Sequence, residues 1–165
     1  MSLTKSIAVV NTSPIVYLSS INQLGLLKKL FKEVYIPNAV KQELLSGSKD
    51  SFGVKEIKTE KWIKPRKIKN KLAKEYLLTD IDNGEAEVII LAEELKTDTL
   101  IMDDKLGRKI AKLRDIKVTG TLRILIAAKE KGLLVEVKPL IKRLKENGFW
   151  ISDDVYEAIL KEAKE

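Results

Sequence analysis

Three short apolar runs, each followed at once by a helix-start signal, constrain the fold of this 165-residue chain more than any other feature. Ile7-Ala-Val-Val leads into Asn11-Thr-Ser-Pro, Val34-Tyr-Ile into Pro37-Asn-Ala-Val, and Thr99-Leu-Ile-Met into the adjacent aspartates Asp103 and Asp104. Runs this short, rich in β-branched residues and continuous in hydrophobicity, read as strands buried on both faces. Strands that alternate with helices imply right-handed βαβ crossovers, so the expected class is α/β, a central parallel sheet with helices on both faces. In such folds the working crevice lies at the carboxyl edge of the strands.

The remaining elements follow from periodicity and punctuation. Ser13 reads as an N-cap with Pro14 at the first position of a helix to about Ile21, and Leu24 to Phe31 reads as a second short helix. A third helix starts at Pro37. Trp62-Ile63 reads as an edge strand, while Ser46 to Lys55 carries no clear signal. The stretch from Leu78 to Lys105 holds a helix from Gly84, with Val88, Leu91, Ala92 and Leu95 as its buried stripe and Glu87 on its solvated side, and then the third strand. Leu106 to Leu113 reads as helix, Ile116-Lys-Val as a strand, and Thr121 as the cap of a helix to about Lys131 that Gly132 ends. Two amphipathic helices, Lys138 to Lys145 and Asp153 to Ala163, flank the turn Asn147-Gly148. Met1-Ser-Leu reads as an expression remnant and is set aside.

Composition removes whole classes of chemistry. With no Cys there are no disulfides, thiolate nucleophiles or Cys-based zinc sites, and with no His there is no Ser-His-Asp triad and no usual neutral-pH base. Catalysis in such a chain leans on carboxylates, Lys or a hard metal. No apolar run reaches the roughly 18 residues of a membrane helix, and no secretory signal pattern opens the chain, so a cytoplasmic protein without membrane contact is expected. The net charge of +7, from 31 Lys and Arg against 24 Asp and Glu, suits a polyanionic partner. A surface laced with ion pairs accounts for charge this dense equally well.

The carboxyl edge gathers the candidate chemistry. Asn11 and Asp103 each stand where a buried strand ends, the helix from Gly84 brings Glu85 in its first turn, and Glu43 lies in the second turn of the helix from Pro37, roughly 9 Å along its axis. Each has a plainer explanation. Glu85 complements a helix dipole, Asp104 caps the next helix, Asn11 serves a turn, and Glu43 is a surface residue. Their common edge is what favours a site. Clustered carboxylates repel one another and are held together at low cost by a cation, and oxygen ligands select Mg²⁺ or Mn²⁺.

Val10-Asn-Thr-Ser-Pro-Ile, Ile36-Pro-Asn-Ala-Val-Lys-Gln-Glu-Leu, Gly84-Glu-Ala-Glu-Val-Ile and Leu100-Ile-Met-Asp-Asp-Lys-Leu-Gly-Arg-Lys-Ile-Ala resemble, in order, the motifs of PIN-domain proteins. The likeness is to a prokaryotic branch of unknown function related to the toxin nucleases of toxin-antitoxin pairs. Val118-Thr-Gly-Thr-Leu and Gly148-Phe-Trp-Ile-Ser extend it over nearly the whole chain. It implies a three-layer α/β/α PIN-like fold over residues 1–165 as one domain, with the C-terminal helices from about 136 packing on it. It further implies a Mg²⁺- or Mn²⁺-dependent ribonuclease whose acidic quartet falls on Asn11, Glu43, Glu85 and Asp103, with Asp104 as a neighbouring ligand. The departure is Asn11, where the pattern usually has Asp. An amide oxygen still ligates a cation, but the site loses one negative charge and holds metal more weakly.

The leading expectation is therefore a metal-dependent endoribonuclease, the toxin of a two-protein module, with RNA and an antitoxin protein as partners. PIN relatives suggest a homodimer. The densest basic stretch, Lys64, Arg66, Lys67, Lys69, Lys71 and Lys74, usually reads as a solvated face; Lys64, Arg66, Lys67, Lys69 and Lys71, with Arg108 beyond the aspartates, are the candidates for RNA contact. The second expectation is a non-catalytic or attenuated RNA-binding regulator, motivated by Asn11 and that basic run. A nucleotide-binding α/β protein is a third class, disfavoured because neither G-x-G-x-x-G nor G-x-x-x-x-G-K-[ST] occurs.

Overall fold

A computed structural model describes residues 6–48 and 51–165. Met1-Ser-Leu and the middle of the Ser46 to Lys55 stretch lie outside the described residues. The chain runs β1 (Ile7–Val10), α1 (Thr12–Ser20), α2 (Gly25–Leu30), β2 (Glu33–Pro37), α3 (Asn38–Leu45), α4 (Val54–Thr59), β3 (Ile63–Arg66), α5 (Lys71–Leu77), α6 (Asn83–Leu95), β4 (Thr99–Ile101), α7 (Lys105–Leu113), β5 (Val118–Thr119), α8 (Thr121–Glu130), α9 (Lys138–Glu146) and α10 (Asp153–Glu162).

The five strands form one parallel sheet in the order β3-β2-β1-β4-β5, flanked by helices. This is the expected α/β class, and its physical basis is the burial of the central strands: Ala8, Val9 and Val10 of β1 and Leu100 and Ile101 of β4 have no exposed surface. Such strands satisfy their backbone only through neighbours on both sides. From β1 the chain moves outward through β2 to β3, then returns through α5 and α6 to the opposite side of β1. The connections after β1 and β4 thus diverge, which opens a crevice at the carboxyl ends of that pair. Val10 lies beside Ile101, and the Asn11 N–H donates to the Ile101 carbonyl at 2.9 Å, so the residues following the two strands emerge side by side.

α6 packs across β1, β2 and β4 and against α3, α5 and α7, while α8 packs against α1, α2 and α10. Leu140, Ile141 and Leu144 of α9 and Leu160 of α10 join the same apolar core as the sheet. No helix among the described residues is long and apolar enough to cross a membrane.

Local punctuation differs from the sequence expectation in four places. α1 begins at Thr12 with Asn11 as the cap residue, so Ser13 is inside the helix and Pro14 at its third position. Gly120 is the cap residue of α8, and Thr121 is its first helical residue, its hydroxyl engaged elsewhere. α4 and α5 were not anticipated. α5 rises inside the basic stretch because the Asn70 side chain accepts from the Ala73 N–H at 3.0 Å and Leu77 reaches the core.

The largest correction concerns Glu87, expected on the solvated side of its helix. It is buried, accepts a hydrogen bond from the Ala39 N–H at 3.1 Å at the start of α3, and pairs with Lys74 of α5. One carboxylate thereby fixes α3, α5 and α6 together, because a partly buried charge needs all its partners. Glu87→Ala, which strands both Lys74 and the Ala39 N–H, is expected to lower stability by about 3 kcal/mol in urea denaturation. A loss within error of zero would mean that the pair contributes no net stability.

Candidate functional site

The crevice at the ends of β1 and β4 is built around Gly84, near the start of α6. A side chain there would place its Cβ 2.9 Å from Glu43 Oε2, 3.6 Å from Asp82 Oδ1 and 3.8 Å from Asn11 Oδ1. Three oxygen atoms from α3, from the cap of α6 and from the end of β1 therefore close on one point, where a Cβ would crowd the Glu43 carboxylate. Glu43 is exposed, and its position is set by the Thr12 hydroxyl, which donates to Oε2 at 2.8 Å. Asn11 is buried.

Glu85 and Asp82 form a reciprocal capping box: the Glu85 N–H donates to Asp82 Oδ1 at 2.8 Å and the Asp82 N–H donates to Glu85 Oε2 at 3.2 Å. The plain reading of Glu85 as a helix-start residue thus holds beside the functional one. Burial pushes the Glu85 carboxyl above its ordinary pKa, against the hydrogen bond from Asp82, and the like charges of Asp82, Asp104 and Glu43 push it further. Those charges can reach Glu85 only if the four carboxylates share one neighbourhood.

Asp103 stands at the opposite wall. The Thr121 N–H donates to its Oδ1 at 2.8 Å and the Thr121 hydroxyl to its Oδ2 at 2.6 Å. Gly120 permits this approach, since a Cβ there would lie 2.8 Å from Asp103 Oδ1 and 2.6 Å from Arg108 Nη1. Burial raises the Asp103 pKa, opposed by the two bonds from Thr121 and by the positive charge of Arg108. Asp104 caps α7, accepting from the Gly107 N–H at 2.7 Å, as its position after β4 suggested.

The donor set is all oxygen, and the charges that act on Glu85 are all negative, which is the chemistry of a hard divalent cation. Asn11, Glu43 and Glu85 would hold such an ion, with Asp103 and Asp104 beside them. Each Asp103 oxygen keeps a second lone pair for that purpose. Among the described residues no group of three or more Asp or Glu side chains is arranged to hold a metal ion.

A cleft of about 770 Å³ runs from Glu85, Asp103 and Asp104 past Arg108 and Arg123 to Trp150. The other basic candidates lie elsewhere. Lys64 and Arg66 rest over the Tyr35 ring at 5.7 and 4.9 Å, and Lys64 also pairs with Glu33. Lys67 and Lys71 line a separate groove with Asn38, Gln42 and Asn83. Lys69 is exposed, and its N–H donates to Glu94 at 2.9 Å. Of the residues that position or surround the carboxylates, Thr12 and Asp82 carry no role in the sequence reading and Thr121 is expected only as a helix cap. The Asp82-x-x-Glu85 capping pattern was a readable signal for one of them.

A family model described as a PIN domain matches residues 7–165, and the chain belongs to this PIN-domain family, whose function is unknown. PIN domains are generally nucleases and generally use divalent metals. No curated protein matches the chain.

The raised pKa values carry a signed consequence. Glu85 and Asp103 start from ordinary values of 4.5 and 3.8 and are raised on folding, so each binds its proton more tightly in the native chain. Their stabilising contribution is complete below the ordinary values and is lost as pH rises through the raised ones. In metal-free protein Glu85→Gln removes that loss. The variant is expected to gain stability relative to the parent as pH rises above 4.5, the ordinary value, measured by urea unfolding at several pH values. A difference that stays flat over this range would show that Glu85 titrates normally.

Proposed function

We propose that the chain is an endoribonuclease that hydrolyses RNA phosphodiester bonds with Mg²⁺ or Mn²⁺. The observation that carries the reading is the convergence of Asn11, Glu43 and Asp82 oxygens over Gly84, with Glu85 and Asp104 in the same electrostatic neighbourhood. Repulsion of this kind costs stability, and a chain tolerates it where a cation or a reaction needs it. Membership of the PIN family supports the same reading.

The reaction adds water across a P–O bond and leaves one phosphate and one hydroxyl end. A bound divalent ion supplies Lewis acidity at the phosphate and lowers the pKa of attacking water. The side chains supply the rest. Thr12 and Thr121 hold Glu43 and Asp103 in place, and Arg108 offers donors to a phosphate beside Asp103. In the wider setting this reading suggests, the chain is the toxin of a two-protein pair.

Incubation of a structured RNA with Mn²⁺, Mg²⁺ or EDTA tests the activity. Cleavage is expected with either ion and none with EDTA. Thr121→Val is expected to lower the rate about 10- to 100-fold, as loss of an outer-shell partner does, and Glu43→Gln and Asp103→Asn by more. Equal cleavage by the folded carboxylate variants would sink the site assignment. Gly84→Ala isolates geometry from charge: it keeps a helix-compatible residue but forces the Glu43 carboxylate aside, so thermal stability is retained while activity falls.

A second reading is favoured by Asn11, which leaves the site one charge short, and by Asp103, both of whose oxygens already accept from Thr121. It is an attenuated PIN protein that binds RNA without efficient turnover. Asn11→Asp separates the two: a marked rise in metal-dependent cleavage supports attenuation, and no change supports a nuclease that uses the amide as it stands.

A further inference from the structure

Trp150 is 84% exposed, although tryptophan is the largest apolar side chain and its neighbours in sequence are held tightly. Phe149 meets the Tyr17 ring edge to face at 4.9 Å and its N–H donates to the Leu144 carbonyl at 2.9 Å. Two residues on, Ser152 caps α10 by accepting from the Val155 N–H at 3.3 Å. The segment is thus pinned on both sides of a ring that packs on nothing comparable. Phe149 and Ile151 pack against the core, while Trp150 stands out from it in a cleft whose lining mixes charged groups with apolar ones, the half-exposed Val155 among them.

The Trp150 ring lines the same cleft as Glu85, Asp103 and Arg108. Arg123 lines it too, paired with the exposed Glu162, and its planar group retains donors beyond that pair. An acidic end, guanidinium groups along the wall and a fixed aromatic at the rim match a polynucleotide strand: phosphates on the arginines and a base on the ring. A base inside a duplex offers no free face, so the strand must be unpaired there.

We propose that Trp150 is a stacking platform for an unpaired base of single-stranded RNA, positioning the strand so that a neighbouring phosphate reaches the carboxylates. This rests on the reading of the chain as one that acts on RNA. Stacking needs no metal, so binding is measured in EDTA at low salt, in a Trp62→Phe background that leaves Trp150 as the sole tryptophan. The probe is a single-stranded RNA of roughly ten nucleotides, within the range such platforms occupy.

Titration is expected to quench Trp150 fluorescence. Trp150→Ala, followed by polarisation of a labelled strand, is expected to weaken binding about 5- to 150-fold, while Trp150→Phe retains most of it. The same sequence as a duplex should show no dependence on residue 150. Unchanged affinity in Trp150→Ala, or its conversion of a dimer into a monomer on size exclusion, overturns the proposal. The two readings fail separately: a parent that cleaves RNA with no role for Trp150 loses the platform and keeps the nuclease, and one that stacks RNA on Trp150 without cleaving keeps the platform alone.

Discussion

The pairing of β1 with β4 is the constraint on which the rest depends, because it joins, at the centre of the sheet, segments of the chain that are about ninety residues apart. At one end the Ile7 N–H donates to Asp98 at 3.0 Å and the Thr97 hydroxyl donates to the Ile7 carbonyl at 2.6 Å; at the other the Asn11 N–H donates to Ile101. Apart from the partly buried Ile7, both strands are buried and have a neighbouring strand on each side. Their register, with Val10 beside Ile101, brings Asn11 and Asp103 to the same carboxyl edge of the sheet.

On this frame the acidic site is assembled by backbone devices and hydroxyl donors, with little help from opposite charge. Glycine at 84 and at 120 lets carboxylates approach the chain, Thr12 and Thr121 hold two of them, and a capping box holds a third. Neutral donors orient carboxylates without neutralising them. The site therefore retains its repulsion, and the raised pKa values of Glu85 and Asp103 register burial combined with incomplete compensation. Glu87, two residues from Glu85 and so on the other face of α6, takes the opposite solution: it is paired with Lys74 and serves the packing of three helices. Two glutamates in one helix thus divide chemistry from structure.

Much of this was legible in sequence, and what was not has a common cause. Strand runs such as Ile7 to Val10 reveal themselves through continuous hydrophobicity, and the cap signal at Asp104 needs only four consecutive residues. Glu87 was misread because a carboxylate at a helical position looks solvated until a lysine thirteen residues earlier is known to face it. Thr121 was read as a cap because threonine before an apolar helix usually is one, and its real partner, Asp103, lies across a strand connection. The basic run likewise resolves into different fates, with Lys64 and Arg66 spread over Tyr35 and Lys67 and Lys71 lining a groove.

The sequence by itself determined the class of fold and the order of the motifs, because each depends on hydrophobic period, punctuation or residue type within a short window. Tertiary structure alone decided which oxygens converge over Gly84, which carboxylates are buried, that Glu87 is structural, and that Trp150 stands exposed on the cleft that holds Glu85 and Asp103. Those facts depend on distances between residues such as Lys74 and Glu87, Glu43 and Gly84, and Asn11 and Gly84, which are 13, 41 and 73 positions apart, and only the packing of the sheet and its helices sets such distances.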